Sequence, residues 1–368
     1  MVAVNTAYST NTYYKTAASV AAATSNSAAK TTTSDTTTTS QSATSVTLSD
    51  EAKAALAAKD FATVLAEART KLTALLKEAD RTSPIKDGKL ALDLSTIDAR
   101  ELYAMATDES FTSDEQDAAG LEMQRRLESA LSGPAAIAKV TGNFIGLYKA
   151  AAEYLDSLGE EEKKGDDWIK GRAAITEAQK QLQADPKTMP DVEDDPVALY
   201  LAVVEAGEQV KPVPIADVAN TTRKTLDALY AEANKNGKAP TFNKATTVGT
   251  YIDMSKFESR TLSSIVLDAT GKFTAPEISA AQSAMRGKSG AALVAGFQNA
   301  AKSSDPTAFS QNIMSLFNSM SAEERQAAGW SDSFYQAAVD SYVSTSKLTQ
   351  MFAQAGGDST GFMSWMGK

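Results

Sequence analysis

The fold is decided by the stretch FTSDEQDAAGLEM, residues 111–123, because it returns in diverged form as FTAPEISAAQSAM, residues 273–285. The shared letters keep a constant offset of 162, and the same offset pairs Trp168 with Trp330. Chance does not readily produce a gap-free match that ends on a tryptophan, a residue type this chain contains only three times. The pattern therefore predicts an internal repeat.

The repeat extends upstream of these stretches at slightly smaller offsets. Arg100 recurs as Arg260, 160 residues later. The run from Phe61 to Leu76 has apolar residues at three-and-four spacing, which predicts an amphipathic helix. Its diverged partner is residues 215–233, in which Arg223 stands 154 residues after Arg69.

Both copies contain the start signal of a helix. A capping box pairs a threonine with a glutamate three residues later, and an apolar residue before the threonine can staple the entry. The residues are Phe111, Thr112 and Glu115 in the first copy and Phe273, Thr274 and Glu277 in the second. Together with Arg100, Arg260, Trp168 and Trp330, they are interpreted as structural anchors of the repeat. The helix before each box is predicted to end near Thr107 or Leu267.

The predicted fold is all-α, with two tandem diverged helical modules and at most one or two very short β-strands. The β-like runs are Leu90 to Leu94 and Thr250 to Met254, and we expect them to pair with each other or to form extended loops. Half of the ten prolines lie between residues 185 and 214, a density that marks a boundary. The predicted parts are a disordered tail (1–48), module 1 (49–184), a Pro-rich acidic hinge with a short helix (185–214), module 2 (215–353) and a C-terminal tail (354–368).

The composition excludes several functions. The chain has no cysteine and no histidine, which removes thiol nucleophiles, His-based triads and zinc sites built on those residues. A formal net charge of -10 disfavours binding to nucleic acid. No apolar run is long enough for a membrane span.

Residues 1–48 contain 22 serines and threonines, with only Lys15, Lys30 and Asp35 charged. Such a segment cannot bury enough apolar surface to fold, so it is predicted to be disordered. Its composition resembles that of the leaders of bacterial type III and flagellar export substrates. The resemblance implies export by a non-Sec route, and the alternative is a flexible tail on a cytoplasmic protein.

The segment from Asp268 to Ile278 resembles the second half of an EF-hand calcium loop with the start of its exiting helix. Gly271 stands at the position of the sharp turn, whereas Val266 stands where the family has its first aspartate. The resemblance implies a helix-loop-helix, with calcium as the only cofactor considered. The implied ligand positions are those of Asp268, Thr270, Lys272, Thr274 and Glu277.

Two other motifs could carry chemistry. Paired acids could serve a carboxylate-based hydrolase, although Glu161 and Glu162 are expected at the exposed start of a helix. The acids in question are Asp156, Glu161, Glu162, Asp166 and Asp167. The stretch from Met285 to Gly290 lacks the first glycine of a P-loop and is interpreted as a turn between helices.

The sequence assigns no catalytic residue and no cofactor-binding residue. What recurs is the set of residues that specifies a fold, not a set of reactive groups. The expected function is therefore that of a non-enzymatic, exported or surface-associated bacterial structural or interaction protein, which binds a protein partner or associates with itself. The alternatives are a calcium-responsive EF-hand-like module and a carboxylate-based hydrolase.

Overall fold

The computed structural model describes residues 59–354, and α-helices form most of that range. The first half contains α1 (Phe61–Ala79), α2 (Ala99–Thr107), α3 (Ser113–Thr141), α4 (Ile145–Asp156) and α5 (Asp166–Ala184). A connecting helix, α6 (Pro196–Ala206), follows. The second half contains α7 (Ile215–Lys235), α8 (Ser259–Leu267), α9 (Ala275–Ala301), α10 (Ala308–Ser319), α11 (Ala322–Ala328) and α12 (Asp332–Gln354). The all-α prediction is confirmed, and the predicted tail of residues 1–48 lies outside the described residues.

The helices begin where the sequence places caps. The Asp60 side chain accepts a hydrogen bond from the backbone of Thr63 at the start of α1, which buries Val64, Ala68 and Leu72. Capping boxes open α3 at Thr112 and α9 at Thr274. The preceding helices, α2 and α8, end at Thr107 and Leu267 as predicted.

The strands differ from the expectation in their pairing. The described residues contain four strands of two residues each, and every pair lies within its own half. β1 (Ile85–Lys86) pairs antiparallel with β2 (Lys89–Leu90), and β3 (Pro240–Thr241) pairs in parallel with β4 (Thr250–Tyr251). The two β-like runs do not pair with each other, because each lies next to a closer strand of its own half.

The stretch from Met285 to Gly290 is not a turn, contrary to the expectation. It lies inside α9, which runs without interruption to Ala301. Met285 and Ser289 are buried on the side of α9 that faces the second-half core. Gly287 and Gly290 lie on the exposed side, where their flexibility is not used for a turn.

The segment between the halves is packed against the first half. Val197 and Tyr200 of α6 lie in a core cluster with Tyr148 and Leu182. Asp195 caps α6 by accepting from the backbone of Val197, and it also accepts a hydrogen bond from the Tyr148 hydroxyl. Asp195, an acid of the predicted hinge, therefore fixes this segment to the first half.

The halves contact each other mainly through α3 and α10. These helices approach so closely that a Cβ atom on Gly133 would lie 2.7 Å from the Cα atom and the carbonyl oxygen of Ser315. The Ser132 hydroxyl donates to the main-chain oxygen of Asn318 at 3.0 Å. Small residues on α3 thus allow α10 to cover it.

None of the helices within residues 59–354 combines the length and apolarity needed to cross a membrane.

Candidate functional site

The recurring arginines make matching contacts in the two halves. Arg69 on α1 donates to Glu115 at 2.8 Å, and its guanidinium lies 3.7 Å above the ring of Phe111. Arg223 on α7 donates to Glu277 at 2.8 Å and lies 5.6 Å from the ring centroid of Phe273. In each half the arginine joins the first helix to the capping box of the third.

A second pair of arginines also makes matching contacts. Arg100 donates to the main-chain oxygen of Lys59 and pairs with Glu161. Arg260 donates to the main-chain oxygen of Val213 and lies 3.6 Å from a carboxylate oxygen of Glu323. These side chains are therefore engaged in holding the chain segments of each half together.

The two tryptophans are partly buried and pack within their own halves. The Trp168 indole donates to the main-chain oxygen of Leu155 at 2.9 Å. Trp330 lies against Phe317 and Phe334, with ring centroids 6.5 and 5.0 Å away. Each tryptophan thus contributes packing contacts within its own half.

The EF-hand-like loop uses its acids for protein contacts. The Glu277 carboxylate accepts hydrogen bonds from Arg223, from the Tyr230 hydroxyl at 2.7 Å and from the backbone of Thr274 at 2.6 Å. Asp268 accepts from the backbone of Lys272 and Phe273. Residues 59–354 contain no group of three acidic side chains placed to hold a metal ion. The segment therefore has a helix-loop-helix shape in which the Glu277 carboxylate bonds to Arg223.

The acids considered for a hydrolase are dispersed or used in pairs. Asp156 pairs with Arg172, and Glu161 pairs with Arg100. Glu162 was expected on the surface but is buried in a 3-10 turn, and one of its carboxylate oxygens has no hydrogen-bond partner within the described residues. Burial raises the pKa of Glu162 to about 8. A neutral Glu162 avoids the cost of placing an unpaired charge in the interior.

An apolar surface is exposed on α9 and α10. Val294 and Phe297 on α9 are exposed, Phe297 by 60%, and the rings of Phe297 and Phe309 meet edge to face at 5.7 Å. We call Val294, Phe297 and Phe309 the α9 surface.

The end of α12 also exposes apolar side chains. Ser341 hydrogen-bonds Ser310, the neighbour of Phe309, at 3.0 Å. The exposed side chain of Leu348 lies two helical turns after Ser341 on the same side of α12, and Met351 is exposed one turn later.

The corresponding part of the first half is covered. The offset of 162 aligns Ser132 with Val294 and Gly133 with Ala295. Ser132 and Gly133 lie beneath α10, whereas Val294 is 56% exposed. Val294, at the position aligned with Ser132, thus has no covering helix within the described residues.

A cleft of about 310 Å³, lined by both apolar and polar side chains, lies between the halves. Its walls are the end of α1 and residues 91–96 from the first half, and α7 with residues 256–261 from the second. Glu78 on α1 accepts a hydrogen bond from Thr225 on α7 at this junction.

Neither the α9 surface nor the cleft was identified from the sequence. In α9 the residues from Ala291 to Phe297 are all apolar or glycine, so their pattern does not show which side remains exposed. The cleft depends on how the halves pack, which a repeat does not specify.

No family model, curated protein or solved structure in the comparisons matches this chain.

Proposed function

We propose that this protein is a non-enzymatic interaction scaffold, built from a duplicated helical module and exported from a bacterium or held at its surface. The exposed α9 surface carries this proposal. Soluble monomers rarely leave a cluster of large apolar side chains open, and such clusters mark sites of protein interaction.

The matching arginine contacts support the duplication. Arg69 and Arg223, and likewise Arg100 and Arg260, bond to residues separated by the same offsets as the sequence repeat. Ion pairs with specific geometry favour one arrangement of helices over others. The recurring charged residues are thus explained by architecture, which leaves no need for a catalytic role.

The partner proposed for the α9 surface is an amphipathic helix of another protein. In the first half the corresponding position is covered by a helix, α10. An apolar helix face placed over Val294 and Phe297 would bury them in the way that helix-in-groove complexes do. Self-association, in which a second copy supplies the helix, is the other outcome of the same test.

Photocrosslinking from position 297 tests this surface in the bacterium that makes the protein. A photoreactive amino acid in place of Phe297 is expected to give an adduct of discrete size, because the partner lies directly over this position. The control is position 169 on α5, where Ile169 is 50% exposed but lies on the other half. No adduct is expected from the control.

Removal of residues 1–48 tests export. The Ser/Thr-rich, acid-poor composition of this segment supports a leader role. We expect cell fractionation to find the full chain outside the cytosol and the shortened chain inside it. Cytosolic location of the full chain would contradict the proposal, as would unchanged export of the shortened chain.

A further inference from the structure

The cleft between the halves contains polar groups that the fold does not use. Glu258 stands at the cap position of α8, yet its side chain makes no capping bond and has no hydrogen-bond partner within residues 59–354. Asp93 lies close enough to Glu258 to influence its ionisation. One Asp93 oxygen accepts from the backbone of Ser95. A carboxylate accepts through two oxygens, so both acids can still bond to a ligand.

The charges around the cleft are unfavourable for phosphorylated ligands. Acids outnumber bases among the lining residues, which are Glu78, Asp93, Asp217 and Glu258 against Arg81, Lys224 and Lys256. Phosphate ligands are recognised by clustered cations and amide donors. This lining therefore disfavours nucleotides and other phosphorylated ligands.

The remaining lining groups fit a neutral ligand rich in hydroxyls. The Thr261 hydroxyl can donate and accept, the Thr221 hydroxyl donates to the main-chain oxygen of Asp217 and can still accept, and carboxylates accept from sugar hydroxyls. Phe257 packs against the second-half core and presents a partly exposed aromatic ring to the cleft, the type of surface against which the apolar face of a sugar can pack. The volume of about 310 Å³ is at the small end of ligand sites, which suits one or two sugar rings.

Burial supports a ligand-binding role for Glu258. Burial raises the pKa of this carboxyl above its usual range, Lys288 opposes the shift, and the carboxylates of Asp93 and Glu324 add to it. A ligand hydroxyl would supply the hydrogen bond that the protein does not give to this half-buried group.

We propose that the cleft between the halves binds a neutral saccharide, with Glu258 and Asp93 accepting hydrogen bonds from its hydroxyls and Phe257 packing against a ring. This site lies on other elements than the α9 surface and goes beyond the proposed function. Serine in place of Val294 is expected to leave saccharide binding unchanged, so the two proposals fail separately.

Saturation-transfer NMR on the full chain tests the cleft, with maltose, cellobiose and N,N′-diacetylchitobiose as probes. We expect transfer to at least one of them, with Kd raised about tenfold by Glu258→Ala, the effect of losing one hydrogen bond to a charged group. The matched control is Glu208→Ala, which removes an exposed acid outside the cleft lining. Phe257→Leu provides a second variant if Glu258→Ala does not fold.

No transfer to any of the three probes would overturn the saccharide site. Transfer that neither cleft variant weakens would also overturn it, because the sugar would then bind elsewhere.

Discussion

Replacing Arg223 by methionine is expected to lower the free energy of unfolding by about 3–5 kcal/mol at pH 7, because it leaves a buried carboxylate without its cation. The Glu277 side chain is only 2% exposed. Tyr230 and the backbone of Thr274 would still donate to it, but neither carries a charge. Urea denaturation of the full chain measures the loss.

The effect of Arg223→Met should depend on pH in a definite direction. Burial alone would raise the pKa of Glu277, but the hydrogen bonds from Thr274, Tyr230 and Arg223 outweigh burial and lower it. A carboxyl with a lowered folded pKa stabilises the protein above its unfolded pKa, and that contribution is lost as the pH falls through the folded pKa. The difference between wild type and variant is full while Glu277 is ionised in both folded proteins, and it should shrink as the pH falls through the folded pKa of Glu277 in the variant and then in the wild type.

The first half provides the matched control for this prediction. Arg69→Met removes the corresponding ion pair, but the Arg69 and Glu115 side chains are 37% and 12% exposed. Water can solvate Glu115 in the variant, so we expect a loss of only about 1 kcal/mol. Equal losses in the two variants would contradict the burial argument.

Replacing Gly133 by alanine is expected to lower the free energy of unfolding by about 2 kcal/mol. The new Cβ atom would lie 2.7 Å from main-chain atoms of Ser315, so α3 and α10 must move apart. Overpacking of this kind lowers the free energy of unfolding by up to about 3 kcal/mol. Alanine has a higher helix propensity than glycine, which offsets about 1 kcal/mol of this loss. Thermal denaturation followed by circular dichroism measures the net loss.

Gly290→Ala is the control for the α3 variant. Gly290 also lies inside a long helix, α9, but nothing lies within 4 Å of an added Cβ atom. This substitution should stabilise the protein by about 0.5–1 kcal/mol. If both alanine variants stabilise the chain, that result would contradict the close contact between Gly133 on α3 and Ser315 on α10.

The helices were predictable from the sequence because their signals are local. The capping residues Thr112 and Thr274 mark two starts, and an apolar stripe from Phe61 to Leu76 marks α1. These features act within a few residues, so they do not depend on the rest of the fold. The all-α class followed from them.

The pairing of β1 with β2 follows from a local signal in the sequence. Asp87 and Gly88 both have positive φ, 52° and 70°. An Asp-Gly pair of this kind is typical of a two-residue hairpin turn, which joins β1 to β2. Chain proximity at this turn, not similarity between the repeats, decides the pairing.

The candidate sites were less predictable because they depend on packing between distant elements. Glu162 is buried, although its acidic neighbours at 160 and 161 suggested a surface position. Whether Phe297 is exposed depends on the helix against which α10 packs. A repeat predicts equivalent local folds but not the position at which the second copy docks on the first.

The most direct test of the central claim is the crosslinking pattern from position 297. We expect an adduct with another protein from position 297, a weaker adduct when Val294→Ser is added, and none from position 169. An adduct of twice the mass of the chain would identify a second copy as the partner on the same surface. No adduct from position 297, or equal adducts from positions 297 and 169, would contradict the claim that the α9 surface is a binding site.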